Sequence, residues 1–483
     1  MPVTPIDVPA HLPRTLGALR ASGQVQRDVK GEIRTNLLHA LRCGRDPWPG
    51  IVGFDETVLP QIERALIAGH DVVFLGERGQ GKTRLLRTLA GLLDEWTPVI
   101  DGAELAEHPC EPITPASRRR AAELGDELPI TWRHRSERYT EKLATPDTSV
   151  GDLVGDVDPV KVAEGRSLGD PETIHFGLVP RAHRGIVAIN ELPDLAERIQ
   201  VALLNVMEER DIQVRGYTLR LPLDVLLVAS ANPEDYTNRG RIITPLKDRF
   251  GAEIRTHYPR EIDAEVALVI QEANLDRIGA EVGKPLIEVL ARFTHHLRSS
   301  TAVDQRSGVS ARFAVAAAET VAGAAMRRVA LTGEERAVAR PVDLETVLDV
   351  LRGKLEFEAG IGGQDTAGER DEQAEVLTHL LRRAVADTAR ARLSGLDLTP
   401  LADEVSGGHR VVTGERVPAV EVLAALPELP VLHDVVTRFG TAPDGPPGPI
   451  AAAVELALES LYLTRKLSKD AENGQTVYGG RAE

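Results

Sequence analysis

Gly76-Glu77-Arg78-Gly79-Gln80-Gly81-Lys82-Thr83 follows the spacing G-x-x-x-x-G-K-[ST], which suits it to cradle phosphate. Gly76, Gly79 and Gly81 allow backbone conformations closed to larger residues, so amides around Gln80 can converge on one anion. Lys82 would meet the β- and γ-phosphates of a nucleotide, and the Thr83 hydroxyl a magnesium ion. The plain alternative is an ordinary strand-to-helix turn. A buried apolar run before the loop, Val72-Val73-Phe74-Leu75, and a helical run from Thr83 after it favour the cradle, so ATP with Mg2+ is the expected ligand.

A second constellation is Gly185-Ile186-Val187-Ala188-Ile189-Asn190-Glu191-Leu192. A continuous apolar run ending in polar residues suits a central parallel strand with its chemistry at the carboxyl end. Glu191 can act as a base toward water, and Asn190 can face a metal shell. Nucleotide hydrolases normally carry Asp-Glu here; Asn190 keeps that shape and lacks the charge. On charge alone, slow turnover is expected, and Asn190→Asp should raise magnesium affinity. A third strand, Val225 to Ser230, runs into Ala231-Asn232-Pro233, where Asn232 could orient water or simply begin an Asn-Pro turn. Arg249, in Leu246-Lys247-Asp248-Arg249-Phe250-Gly251, could reach a neighbouring subunit's γ-phosphate or merely pair with Asp248 at the surface.

These residues need elements to hold them. At 483 residues the chain exceeds one typical core. Its formal charge of −16 argues against a surface built to grip nucleic acid. Cys43 and Cys110 form no C-x-x-C pair, and His108 beside Cys110 reads as loop. Asp152, Asp156, Asp158 and Asp170 are too irregular for a calcium loop, and adjacent His295-His296 point apart. No apolar run spans a bilayer and no leader pattern follows Met1, so a cytoplasmic location is expected.

In order, residues 1–50 hold an amphipathic helix near Arg27–Arg42, and Pro47-Trp48-Pro49-Gly50 ends it. Residues 51–258 alternate strands and helices, with a glycine-rich acidic insertion at Val150–Phe176 and a hairpin pattern at Asp211–Leu221. Residues 94–149 give a weak signal; their Arg118–Arg120 and Arg133–Arg138 clusters read as solvated surface. Residues 259–355 read as a helical block, 356–371 as a glycine-rich linker, and 372–483 as further helices.

The order of these motifs resembles an AAA+ ATPase of the branch holding the magnesium-chelatase I subunit and MoxR-like proteins. The resemblance covers residues 50–355. Ile51-Val52-Gly53 is similar to that branch's adenine-side segment, which implicates Val52 and Gly53 in nucleotide binding. Gly185–Leu192 resembles Walker B, Ala231-Asn232-Pro233-Glu234 sensor 1, Leu246–Gly251 the arginine-finger segment, and Ser310-Ala311-Arg312 sensor 2. The resemblance implies an α/β parallel-sheet core, a helical lid, and a ring, usually hexameric, with ATP at subunit interfaces. Arg249 would then act in trans and Arg312 on its own subunit's nucleotide. It also implies a chaperone-like or chelatase role with a von Willebrand A domain partner. A DNA-acting helicase using Arg215 and Arg220 in a ring pore, and a slow nucleotide switch, remain as alternatives. A sigma-54 activator is disfavoured because the region around Asp152–Asp158 lacks Gly-Ala-Phe-Thr-Gly-Ala.

Overall fold

The computed structural model describes residues 7–164, 173–209, 211–214, 217–233, 240–304, 308–357, 367–472 and 475–480. Asp170, Arg215 and Glu234 lie outside them, as does most of the expected linker; the Arg220 side chain is likewise not described. The chain divides into two compact units, Met1–His257 and Tyr258–Glu483.

The first unit is built on five parallel strands: β1 (Val72–Leu75), β2 (Tyr139–Leu143), β3 (Gly185–Asn190), β4 (Val225–Ala231) and β5 (Ala252–Arg255). Their order across the sheet is β5-β1-β4-β3-β2. Strands β1, β3 and β4 are apolar and almost wholly buried, as a sheet covered on both faces requires. Alternation divides their side chains between two cores. Val73, Leu75, Val187, Ile189, Leu227 and Ala229 face one; Val72, Phe74, Ile186, Ala188, Leu226 and Val228 face the other. The second core also takes Leu85, Leu86 and Leu89 from the helix Lys82–Thr88 and its extension. Burying such a leucine stabilises by about 2 kcal/mol, which fixes that helix beneath the strand ends.

Residues 7–50 are integrated into this unit. The helix Val29–Arg42, capped by Asp28, buries Val29, Ile33 and Leu37. Its Glu32 accepts two hydrogen bonds, both 2.7 Å, from the guanidinium of Arg138. Arg138 was expected at the surface with its basic neighbours, yet it is 3% exposed. Removing either partner would leave a buried charge alone, so this pair fixes the helix on the sheet. The weak signal over 94–149 hides the edge strand β2 and an antiparallel pair, Trp96–Ile100 with Ile130–His134. In the insertion, Gly155–Val157 pairs with Ile174–Phe176, while Asp152 and Asp158 serve at helix N-termini.

His108, read from sequence as loop, is buried, as is His183. Burial and the nearby Arg184 guanidinium push both imidazoles down to about 3. The native state therefore binds fewer protons than the unfolded chain from about pH 6.5 down to about 3, and stability falls with pH across that window. Each imidazole is expected to cost about 2 kcal/mol at pH 5. Urea unfolding of wild type and His183→Gln at pH 7.5 and pH 5 checks this: the variant should lose less stability on acidification.

The second unit is helical around one core, shared by helices such as Lys284–Ser299 and Ala311–Thr332 with Ala367–Arg392 and Pro447–Leu463. Helices on both sides of residues 356–371 thus share that core. A three-stranded antiparallel sheet, Val411–Thr413, Gln475–Gly479 and Ser468–Glu472, joins them where only helices were expected.

Candidate active site

The carboxyl ends of β1, β3 and β4 carry the residues singled out by their chemistry. The loop after β1 is tight: a Cβ on Gly76 would collide with Thr256 Oγ1. Gly79 and Gly81 have φ of 76° and 77°, which glycine adopts without strain. Thr256 donates to Gln80 Oε1 at 2.8 Å, pinning the loop to the end of β5. Lys82 is 7% exposed, and its ammonium donates to the carbonyls of Gly76 and Glu77. In Ile51-Val52-Gly53, Val52 is half-buried and Gly53 has φ 79°. Phe54, next in sequence, packs edge-on against His257 at 5.2 Å and lies 3.9 Å from the position of a Gly81 Cβ.

Asn190 ends β3 and is 7% exposed. Its Oδ1 accepts from Ser230 Oγ at 3.1 Å and from Thr83 Oγ1 at 3.4 Å, which brings the β3 tip to the phosphate loop. Its Nδ2 donates to Glu141 Oε1 at 2.7 Å. Glu191 follows in the left-handed region, φ 55° and ψ 47°, and its N–H donates to Ser230 Oγ at 3.3 Å. A non-glycine residue held there costs about 1–3 kcal/mol and is characteristic of functional positions. Asn232, 3% exposed, sits one residue beyond β4.

Two members of this cluster were missed by sequence reasoning. Ser230 was read only as strand end, and Glu141 lies in the stretch without a clear pattern. Alternation could have found both once the register was known. Glu141 pairs with Ala188 and Leu143 with Asn190, so Glu141 and Asn190 share a face. Glu141 accepts from Arg87 at 2.7 and 3.0 Å and from Tyr139 at 3.2 Å. The Arg87 hydrogen bond holds its carboxyl below the usual range, against the opposing effect of burial.

Arg249 closes the helix Thr244–Arg249, where it is 46% exposed and ion-paired with Glu208. Arg312 is exposed in the second unit, as the second residue of the helix Ala311–Thr332. Among the described residues, no group of three His, Cys, Asp or Glu could hold a metal, and no helix is long and apolar enough to cross a membrane.

A strand-loop-helix phosphate cradle beside the polar tips of parallel neighbours defines a P-loop nucleotide-binding protein of the AAA+ type. Comparison with known proteins narrows this. Residues 165–249 match the family profile described as "Sigma-54 interaction domain". The magnesium-chelatase subunit ChlI of Nostoc sp. is 29% identical over 237 residues, covering 48% of this chain and 59% of that protein. The magnesium-chelatase 38 kDa subunit of Cereibacter sphaeroides is 28% identical over 256 residues, 49% of this chain and 68% of that protein. A structure described as the complex between subunits BchI and BchD of magnesium chelatase aligns with TM-score 0.35 at 22% identity, covering 70% of this chain and 95% of that one. The chain is thus similar to magnesium-chelatase subunits, and it spans 59% of the length of the Nostoc protein.

Proposed function

We propose that this chain binds ATP with magnesium, hydrolyses it at the interface between subunits of a ring, usually hexameric, and uses the cycle to remodel or activate a partner protein. The observation that carries the reading is the convergence of the Gly76–Thr83 loop, Asn190 and Glu191 at the carboxyl ends of the central strands, tied through Thr83 and Ser230. The oxygen donors Thr83 Oγ1 and Asn190 Oδ1 suit a hard cation such as magnesium. When bound, that ion neutralises charge on the β- and γ-phosphates. Lys82 exchanges its loop carbonyls for phosphate oxygens, Glu191 takes a proton from water, Asn232 orients that water, and Val52 and Gly53 line the adenine side. Arg249 of one subunit reaches the next subunit's nucleotide, and Arg312 serves its own.

The magnesium-chelatase names among the relatives support a partner-directed role, and a von Willebrand A domain is the kind of partner proposed. The MoxR-like, chaperone-type assignment and a cytoplasmic location belong to the same reading. The "Sigma-54 interaction domain" match spans the part of the core running through β3 and β4, without the Gly-Ala-Phe-Thr-Gly-Ala loop that such an activator uses. Asn190 favours a second reading within this one: a slow ATPase whose long-lived ATP state switches the partner. A helicase role is disfavoured by the net charge of −16, and ATPase rates with and without single-stranded DNA separate it.

Lys82→Ala is the direct test. It removes a charge facing the phosphates and leaves the backbone cradle, so ATP affinity should fall roughly 10- to 100-fold. Titration of a fluorescent ATP analogue measures it; unchanged affinity would remove Lys82 from the site.

A further inference from the structure

We propose that Glu141 is the positioning residue that lets asparagine stand where nucleotide hydrolases carry aspartate: it fixes the Asn190 amide and supplies the missing negative charge one hydrogen bond behind it. The inference rests on the ATP–magnesium reading above and deepens it. An asparagine can imitate aspartate toward a cation only if its oxygen faces the metal and its NH2 group faces away. In this site the two ends of the amide have different partners. Hydroxyl donors, Thr83 Oγ1 at 3.4 Å and Ser230 Oγ at 3.1 Å, meet Oδ1. A carboxylate, which only accepts, meets Nδ2 at 2.7 Å. Turning the amide over would set its oxygen against the Glu141 oxygen, so the carboxylate selects the orientation.

The placement of Glu141 follows from the fold. It stands on the edge strand β2 with its side chain on the face toward the helix Lys82–Thr88. Thr83 and Arg87 are four residues apart on that helix and so share a face. Thr83 reaches Asn190 while Arg87 reaches Glu141, at 2.7 Å to Oε2 and 3.0 Å to Oε1. Helix and strand thus hold a relay, Arg87–Glu141–Asn190–Thr83, that ends at the metal-binding hydroxyl. A charge-assisted hydrogen bond polarises the amide it accepts from and raises electron density on the far oxygen, the atom facing the cation. The negative charge normally borne by the β3 tip has moved to the next strand.

This reverses the expectation drawn from charge alone. An aspartate at 190 would bring a second carboxylate oxygen to the place where Nδ2 now donates, 2.7 Å from Glu141 Oε1. Two like charges at that distance repel, and the Asn190→Asp side chain leaves the position it was meant to improve. Moving the charge rather than adding one should work: in Asn190→Asp with Glu141→Gln, the glutamine amide donates to the aspartate and the charge count is unchanged.

The test measures binding of a fluorescent ADP analogue to the full chain in EDTA and across a magnesium titration, for wild type, Glu141→Gln, Asn190→Asp and the double variant. The quantity read is the gain in nucleotide affinity that magnesium confers. Glu141→Gln is expected to reduce it roughly five- to tenfold. Asn190→Asp should show no increase over wild type, and the double variant should return to the wild-type gain or exceed it. A purely structural Arg87–Glu141 pair would alter unfolding and leave the magnesium gain untouched. Equal gains in all four chains, or a rise in Asn190→Asp alone, overturn the assignment of Glu141. Failure of wild type to bind nucleotide even in EDTA would instead overturn the ATP-site reading beneath it.

Discussion

Arg249→Ala chains should bind ATP with wild-type affinity and hydrolyse it roughly 10³-fold more slowly, the scale of effect of an arginine finger. Arg249 ends a short helix with a 46% exposed side chain, so it is presented outward rather than into its own core. Its pairing with Glu208, itself 38% exposed, does not bar this role. A solvent-exposed ion pair is worth no more than about 1 kcal/mol, far below what contact with a γ-phosphate supplies in the transition state. Action in trans adds a sharper expectation. Arg249→Ala chains mixed with Lys82→Ala chains should recover part of the lost rate, because some hybrid interfaces join an intact loop to an intact finger. Steady-state ATPase assays across mixing ratios, with assembly followed by light scattering, measure the recovery. A mixture that co-assembles and stays inactive places Arg249 outside the reaction.

Much of this site was legible because its residues sit where sequence and geometry agree. The glycine spacing needs no tertiary information: φ of 76° and 77° at Gly79 and Gly81, and the close approach at Gly76, are local demands of the turn. Strands β1, β3 and β4 were legible because a strand buried on both faces is an unbroken apolar run. The edge strand β2, Tyr139-Thr-Glu-Lys-Leu143, carries no such run and follows a basic stretch, so it gave no signal. What made Glu141 important was register against β3, a long-range pairing that spacing along the chain does not encode. Arg138 was misread for a related reason: its carboxylate partner, Glu32, is 106 residues away. The small sheet of the second unit was missed because its strands are short, and Ser468–Glu472 is polar enough to read as loop.

Glu191→Gln should retain ATP and lose hydrolysis by about 10²- to 10⁴-fold, the contribution of a positioned general base. Glutamine has the same length and can hold the same backbone conformation, so the N–H bond to Ser230 and the loop beside it should survive. What it lacks is the capacity to take a proton from water. The left-handed conformation at φ 55° adds to the argument. It turns the chain sharply at the β3 tip, so Asn190 stays on the sheet face toward Thr83 while the next residue leaves the strand. In the proposed reading the adjacent carboxyl and amide groups take separate tasks, one toward water and one toward the metal shell. The two glutamine variants should therefore differ in kind. Glu141→Gln changes the magnesium concentration at which the rate saturates, whereas Glu191→Gln lowers the saturated rate at every magnesium concentration. Single-turnover hydrolysis over a magnesium series distinguishes these patterns. A Glu191→Gln chain that turns over at near wild-type rate at saturating magnesium would move the base to another carboxylate and leave Glu191 with only the shape of the turn.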